Sequence, residues 1–233
     1  MKKYLLTACI GLWAIGSLYA QQPLKAERTE PQLSDIYTLL ASLDMHLFRF
    51  DLQAFLQNTY SVSLYIDEQE SGQPPRRIRT MRLGKNVRDL NEIPDDSRET
   101  FRRLHQIPEG RSTWDEIREI ALYVSKPNDS TAVITVNVPE VMQARHAVKL
   151  RPVAGSERIY YQVRPFSLAE AETSDRTVVP LLLYGSAWMD TTHNVIRFCG
   201  EKEIDPAMQA RILSDLPHYY IVGIIFEKSQ EKE

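Results

Sequence analysis

Short alternations of apolar and polar residues recur along this chain and limit the folds that it can adopt. In residues 60–66, Tyr, Val, Leu and Ile take turns with Ser and Tyr. A period of two residues is typical of a β-strand with one buried face. Similar strand-sized runs, separated by turn residues, are found at 77–83, 120–124, 133–138, 147–153, 159–165, 177–184, 195–199 and 219–226. They predict a mainly β (α+β) fold with antiparallel strands in a two-layer, β-sandwich-like arrangement.

The strongest helical pattern lies before the first of these strands. Apolar residues spaced three and four apart mark one helix face: Leu33, Ile36, Leu40, Leu43, Leu47 and Phe50. Residues 46–52 also alternate, so we expect the helix to give way to a strand near Asp44 and its apolar face to pack on the core. Shorter helices are predicted within 96–106 and 206–213.

The first twenty residues have the order of parts of a secretory signal peptide. Lys2 and Lys3 precede an uncharged apolar run, which ends at Tyr19-Ala20-Gln21. A transmembrane anchor is the alternative, but the run is about 16 residues against the ~20 that a span needs. Residues 6–9 also match the pattern at which a bacterial lipoprotein cysteine, here Cys9, is lipidated. Lipidation there would leave residues 10–20 as an apolar leader, so cleavage after Ala20 is predicted instead.

The rest of the chain divides by composition. We expect a disordered polar leader at 21–31, a β-rich globular domain at 32–226 with a possible subdivision near 152–157, and a charged tail at 227–233. Removing residues 1–20, which carry two lysines and no acid, changes the formal net charge from −3 to −5. This acidic balance argues against nucleic-acid binding. No later run is long enough to span a membrane, and the oligomeric state stays open.

Few sequence patterns point to catalysis. The chain has no His-Glu-x-x-His, Cys-x-x-Cys, phosphate-binding loop or dinucleotide fingerprint, so neither a metal nor a cofactor is predicted. Asp190 and His193 are weak catalytic candidates, since residues 188–194 also read as a turn that favours Asp, Thr and Asn for backbone reasons. Cys199 is expected to be a buried apolar thiol. A dyad of Cys199 with His193 is disfavoured because the two would lie ~20 Å apart along a strand.

Two groups of residues are candidate ligand contacts. Arg77, Arg79 and Arg82 belong to a basic stretch at 76–88, which is either an anion-binding patch or a sheet edge protected by charge. Tyr184 and Trp188 belong to an aromatic-rich C-terminal half. Such rings either stack on sugars or fill the core, and Trp188 is expected to be exposed in a loop.

The general plan resembles secreted proteins of unknown function from gut Bacteroidota. The resemblance is carried by Met1-Lys2-Lys3, the signal end Ala20-Gln21-Gln22, the polar leader and a Tyr-rich β domain with the run Phe48-Arg49-Phe50-Asp51. It implies a periplasmic or cell-surface location in a Gram-negative bacterium and no established activity. In that phylum, Asp129-Ser130-Thr131 and Asp190-Thr191-Thr192 also look like O-glycosylation signals, which makes Ser130 and Thr191 candidate acceptors.

The absence of catalytic spacing and the clustered aromatic residues favour a binding role. We therefore expect an exported, non-catalytic envelope protein whose β-rich module binds a protein or glycan partner. The alternative is an envelope hydrolase, directed at a glycan or a peptide, with a loop site around Asp190 and His193.

Overall fold

A computed structural model describes residues 28–167 and 174–228 of the chain. The predicted signal peptide, Cys9, most of the polar leader and the end of the charged tail therefore lie outside the described residues. The chain divides into two compact units, Met1–Ile36 and Tyr37–Glu233. In the first unit the description covers an irregular segment and the start of a helix. The second unit holds the β-sheets and continues across residues 152–157.

The described residues contain short helices and many strands. The helices are α1 (Leu33–Ser42), α2 (Asp95–Leu104) and α3 (Ile212–Asp215). The strands are β1 (Met45–Asp51), β2 (Tyr60–Glu70), β3 (Arg76–Lys85), β4 (Val87–Asp89), β5 (Thr113–Asp115), β6 (Glu119–Asn128), β7 (Thr131–Val138), β8 (Met142–Lys149), β9 (Tyr161–Pro165), β10 (Arg176–Ser186), β11 (Trp188–Asp190), β12 (Val195–Arg197) and β13 (His218–Lys228).

Two antiparallel sheets dominate the second unit. One has the strand order β1-β6-β7-β8 and the other the order β3-β2-β13-β10-β9, and two short ribbons pair β4 with β5 and β11 with β12. The predicted mainly β, sandwich-like class is confirmed. Strands adjacent in sequence mostly pair as hairpins, but β13 lies between β2 and β10, so it joins distant parts of the chain.

The core is formed by alternate residues of both sheets. In β7 every second side chain is buried, from Ala132 through Ile134 and Val136 to Val138. These side chains belong to one cluster with residues of the other sheet such as Leu64. Burying a side chain of this size contributes about 1.5–3 kcal/mol. The period of two in the sequence is thus the pattern of a sheet with one face on the core.

Buried Asn86 ties the loop before β2 to the segment that leads into β6. Its Oδ1 accepts the backbone N–H of Tyr60 at 2.7 Å, and its Nδ2 donates to the carbonyls of Phe55 at 2.7 Å and Asn58 at 3.0 Å. Its own carbonyl accepts the N–H of Glu116 at 2.8 Å. Because Asn86 is fully buried, these bonds replace water and fix the position of Glu116.

Three local predictions need correction. The change from helix to strand near Asp44 is confirmed, but Leu43 of the predicted apolar face is 60% exposed, so it does not pack on the core as expected. The helix predicted at 206–213 is wrong, because the chain turns there and only Ile212–Asp215 is helical. Cys199 is exposed in an irregular segment after β12, not buried in a strand.

Within residues 28–167 and 174–228, no helix has the length and hydrophobicity that a membrane crossing requires.

Candidate functional site

One cleft lies where the ends of β1 and β6 meet the end of α2 and the β7–β8 turn. Its volume is about 750 Å³, within the range of small-molecule sites. We call it the acidic cleft, because its lining includes Asp51, Asp115, Glu116, Glu119 and Glu140 beside Arg49, Arg118, His105, Gln106 and Trp114.

Most of the carboxylates of the acidic cleft are held by neighbours. Glu119 forms an ion pair with Arg49 across β1 and β6. Asp115 accepts from Arg111 at 2.9 Å and Glu116 from Arg88 at 3.2 Å, whereas Asp51 accepts the backbone N–H of Gln53 at 2.8 Å. Their geometry is therefore set before any ligand arrives, which lowers the entropic cost of binding.

Trp114 forms one wall of the acidic cleft. It lies on β5 and is only 5% exposed, since it packs in a small core with Leu90, Ile107 and the ring of Phe101. Its indole Nε1 is buried and has no hydrogen-bond partner among the described residues. A buried N–H without an acceptor costs about 1–3 kcal/mol, and such groups mark places where an additional oxygen atom fits.

Two residues at the rim have left-handed backbone angles. Gln106 has a φ of 50° where α2 ends, and Glu140 has a φ of 63° in the β7–β8 turn. In that turn the N–H of Val141 donates to the carbonyl of Val138 at 3.1 Å. Glycine usually occupies such positions, and another residue there costs about 1–3 kcal/mol. Both strained residues line the acidic cleft. Glu140 has no ion-pair partner among the described residues.

A second cleft, of about 630 Å³, lies between the α1–β1 junction, β9 and residues 198–202. We call it the Arg164 cleft. Asp44 and His46 line it on one side, and Cys199 and Glu201 on the other. Burial lowers the pKa of His46, so this imidazole is neutral at pH 7.

The most extensive buried polar network lies near the ends of β2, β8, β9 and β13. Glu68 accepts from Arg76, from His218 Nε2 at 3.1 Å and from the Tyr220 hydroxyl at 3.2 Å. The other His218 nitrogen, Nδ1, lies 2.6 Å from the Tyr161 hydroxyl. With the carboxylate ionised, these partners are satisfied when His218 is neutral and protonated on Nε2.

This carboxylate–imidazole–phenol chain has the order of a catalytic triad, but its electrostatics are those of a cross-link. Burial raises the pKa of Tyr161 to about 12, so the phenol keeps its proton at neutral pH and donates it to His218. Burial also lowers the pKa of His218. The Tyr161 oxygen additionally accepts the N–H of Arg151 at 3.1 Å, and the network thereby connects the end of one sheet to the other.

A family described as a domain of unknown function, DUF5041, matches residues 16–228. This chain belongs to the DUF5041 family. The match agrees with the predicted resemblance to a family of unknown function, whereas the Bacteroidota source and the secretion remain predictions. No curated protein matches the sequence. The DUF5041 match includes every residue of both clefts and of the Glu68 network.

The catalytic candidates of the DUF5041 chain lie in a hairpin turn. The Asp190 carboxylate accepts hydrogen bonds from the backbone N–H groups of Thr192 at 3.0 Å and His193 at 3.2 Å. It also lies 2.9 Å from Nδ1 of the His193 ring and accepts a hydrogen bond from Nε of Arg197 at 2.5 Å. The hydrogen bonds from His193 and Arg197 lower the pKa of Asp190. Neither Asp190 nor His193 lines a described cleft, and the hydrolase role stays an untested prediction.

The basic candidates lie on β3, which is an edge strand of the larger sheet. Arg77 pairs with Asp67 at 2.7 Å and lies over the Tyr65 ring at 4.2 Å. Arg79 and Arg82 are exposed. In the DUF5041 chain, β3 is therefore a positively charged strand at the edge of the larger sheet. An anion-binding role for these arginines stays a prediction.

The aromatic candidates are less accessible than expected. Tyr184 is 4% exposed in the core, so it offers no ring surface to a ligand. Trp188 lies in β11 and is half-buried against the cluster of Leu183 and Leu216, not in an exposed loop. The proposed glycan acceptors Ser130 and Thr191 are exposed in turns.

The DUF5041 site residues that sequence reasoning missed are Trp114, Glu140 and the Glu68–His218 pair. Within the described residues, no group of three or more His, Cys, Asp and Glu side chains could hold a metal ion. Glu140 follows Pro139 in the turn between β7 and β8. A residue directly after a turn proline often has a left-handed backbone, so this pair of residues is the local sequence signal for the rim of the acidic cleft.

Proposed function

We propose that this protein is an exported, non-catalytic module of the bacterial envelope that binds a glycan in the acidic cleft. Export rests on the N-terminal pattern of Lys2 and Lys3, an apolar run and Ala20, which also favours a periplasmic or cell-surface location in a Gram-negative bacterium. The binding role rests on the cleft.

The observation that carries the binding role is the unpaired Nε1 of Trp114, a residue that lines the acidic cleft together with carboxylates held by their neighbours. This atom is buried, so a ligand that reaches it displaces the side chains above it. A saccharide hydroxyl is both a donor and an acceptor. It can donate to a carboxylate such as Glu140 and accept from the indole N–H. A ligand rich in hydroxyl groups therefore matches both kinds of protein group that line the cleft.

The chemistry of the lining favours a glycan over a protein partner. Protein interfaces depend on buried aromatic and aliphatic anchors surrounded by a polar rim. In the acidic cleft the lining is mainly polar, and Leu104, 73% exposed, is the large exposed apolar side chain at its border. Glu119, Asp115 and Glu116 are engaged with arginines, an arrangement that suits recognition of hydroxyl groups more than proton transfer.

Binding is measurable through the fluorescence of Trp114. A full-length Trp13→Phe/Trp188→Phe variant keeps Trp114 as its only tryptophan. It is titrated with neutral oligosaccharides, namely cello-, malto- and xylo-oligosaccharides and N-acetylglucosamine oligomers. We expect saturable binding of at least one series, which Glu140→Gln weakens about tenfold, since a hydrogen bond to a charged group is worth about 1.5–3 kcal/mol.

The matched control is Glu157→Gln, an exposed acid outside both clefts. It should leave the affinity unchanged. Hexalysine is titrated in parallel, because a cleft that recognised a cationic protein segment would bind it. Binding of hexalysine without binding of any oligosaccharide, or equal effects of Glu140→Gln and Glu157→Gln, would overturn the glycan proposal.

A further inference from the structure

Arg164 of β9 is a buried cation without a carboxylate partner in the part of the chain that the structure describes. It is 4% exposed. Its Nε donates to the carbonyl of Glu201 at 3.1 Å, and its Nη2 donates to the carbonyl of Phe198 at 2.7 Å and to Gln162 Oε1 at 2.8 Å. Nη1 has no partner among the described residues. Three of the five N–H groups of the guanidinium are thus satisfied, all by uncharged oxygens.

Buried charges in proteins are normally paired, because an unpaired one loses its hydration without compensation. The loss is visible at Arg164, where burial lowers the pKa of the guanidinium. The nearby carboxylate of Glu201 acts in the opposite direction and raises this pKa. The Glu201 side chain forms no hydrogen-bonded ion pair with Arg164, so none of the described carboxylates serves as the counter-ion of Arg164.

The segment that covers Arg164 is fixed in place. Ile204, fully buried, donates its N–H to the carbonyl of Pro165 at 3.0 Å and accepts the N–H of Ser167 at 2.9 Å. Gly200 packs so closely that an added Cβ would lie 2.4 Å from Ile212 Cδ1. The backbone carbonyls that hold Arg164, and the backbone of Cys199, are therefore fixed in place by this segment.

We propose that the Arg164 cleft binds a small molecule through a carboxylate that pairs with the Arg164 guanidinium next to the thiol of Cys199. The carboxylate supplies both the missing acceptor for Nη1 and the missing negative charge. Nη1 lies beneath the cleft surface, so binding includes a shift of the side chains above it. A singly charged carboxylate is favoured over a phosphate, because Asp44 and Glu201 also line the cleft and repel a second negative charge.

Cys199 provides the readout, since it is exposed and lines the same cleft. Full-length protein is treated with N-ethylmaleimide at fixed pH and ionic strength, and modification of the Cys199 peptide is followed by mass spectrometry. Propionate is the probe, and propionamide, which has the same shape and no charge, is its control. We expect propionate to slow the modification in a saturable way, about tenfold when its free concentration is about ten times its dissociation constant.

A charge variant in the cleft tests the electrostatic argument without removing Arg164. Glu201→Gln keeps the backbone carbonyl that binds Arg164 but removes a negative charge, so it should tighten propionate binding several-fold. Glu203→Gln, an exposed acid of the same segment that does not line the cleft, should not. In a Cys199→Ala variant, propionate should still raise the unfolding temperature, which separates binding from thiol access.

The proposal is overturned if propionamide protects Cys199 as well as propionate does, or if neither protects it. Equal propionate affinity in Glu201→Gln and Glu203→Gln would also overturn it. These outcomes are independent of the acidic cleft, which shares no residue with the Arg164 cleft.

Discussion

Glu68 is a buried carboxylate that contacts several charged and polar side chains. Its side chain is 10% exposed and lies between Arg76, Arg151 and His218. Burial opposes its ionisation, but the hydrogen bonds from Arg76 and His218 outweigh this and lower its pKa to about 2. The network is stable because the carboxylate stays charged while the imidazole stays neutral.

Acid should destabilise the fold in two stages. His218 has a lowered pKa, so below its ordinary value of 6.5 the unfolded chain binds a proton that the folded chain refuses, and stability falls. Glu68 adds a loss from its ordinary 4.5 down to about 2, again because the unfolded chain binds the proton first. The Glu68 part amounts to about 3 kcal/mol, and urea unfolding between pH 8 and 2.5 measures both.

Glu68→Gln is expected to lower the free energy of unfolding at pH 7 by about 1–3 kcal/mol, because it weakens the hydrogen bonds to the buried His218 and Tyr220 and removes the charge that faces Arg76 and Arg151. It should also flatten the pH dependence below 4.5. Glu70→Gln is the matched control, since Glu70 pairs with the same Arg151 but is 45% exposed, and it should cost much less. Equal losses in the two variants would contradict the central role of Glu68.

These residue-scale features were not predictable from the sequence. Glu68 and His218 are 150 positions apart, and only the pairing of β2 with β13 brings them together. Nothing near Trp114 indicates that its indole N–H finds no acceptor. Arg164 likewise reads as an ordinary polar residue of an alternating strand, and its burial depends on the segment 198–204 that covers it.

At the scale of elements, strand-sized runs predicted most of the large strands. Alternation marks β7, which has one face on the core, whereas β10 and β13 are buried on both faces for most of their length. The strand β8 lies earlier than the predicted run 147–153. The strands β2, β6, β7, β10 and β13 extend beyond the predicted runs, since their ends carry polar residues that still pair in the sheet. Prediction failed where burial does not set the pattern. The apolar face of α1 suggested a core contact for Leu43, and Pro206 suggested a helix start where the chain only turns.

The β11–β12 hairpin is expected to depend on Asp190 as a turn residue. Asp190→Ala removes acceptors for two backbone N–H groups and for Arg197, so amide exchange at Thr192 and His193 should accelerate. The global unfolding temperature should change little, because the hairpin is a separate two-stranded ribbon. Thr191→Ala, an exposed neighbour, should leave exchange unchanged. A loss of global stability as large as that of Glu68→Gln would contradict this assignment.

At the scale of the whole molecule, cleavage of the chain after Ala20 is a prediction that can be tested directly. Protein recovered from the envelope of a Gram-negative host should begin at Gln21 by mass spectrometry of its N-terminal peptide. Ala20→Arg should block this cleavage, because signal peptidase needs a small residue at the site. Cys9→Ser should leave it unaffected. Recovery of a lipid-modified Cys9, or of chains that begin at Met1, would contradict the assignment.

The central position of β13 has a consequence for the order of events during synthesis. Before residues 218–228 leave the ribosome, the β2–β3 and β9–β10 hairpins lack the neighbour that joins them. An isolated hairpin is marginally stable in water, so the larger sheet cannot be completed before β13 has been made. The smaller sheet has all four of its strands before β13 is made, so the two sheets become available to fold at different times.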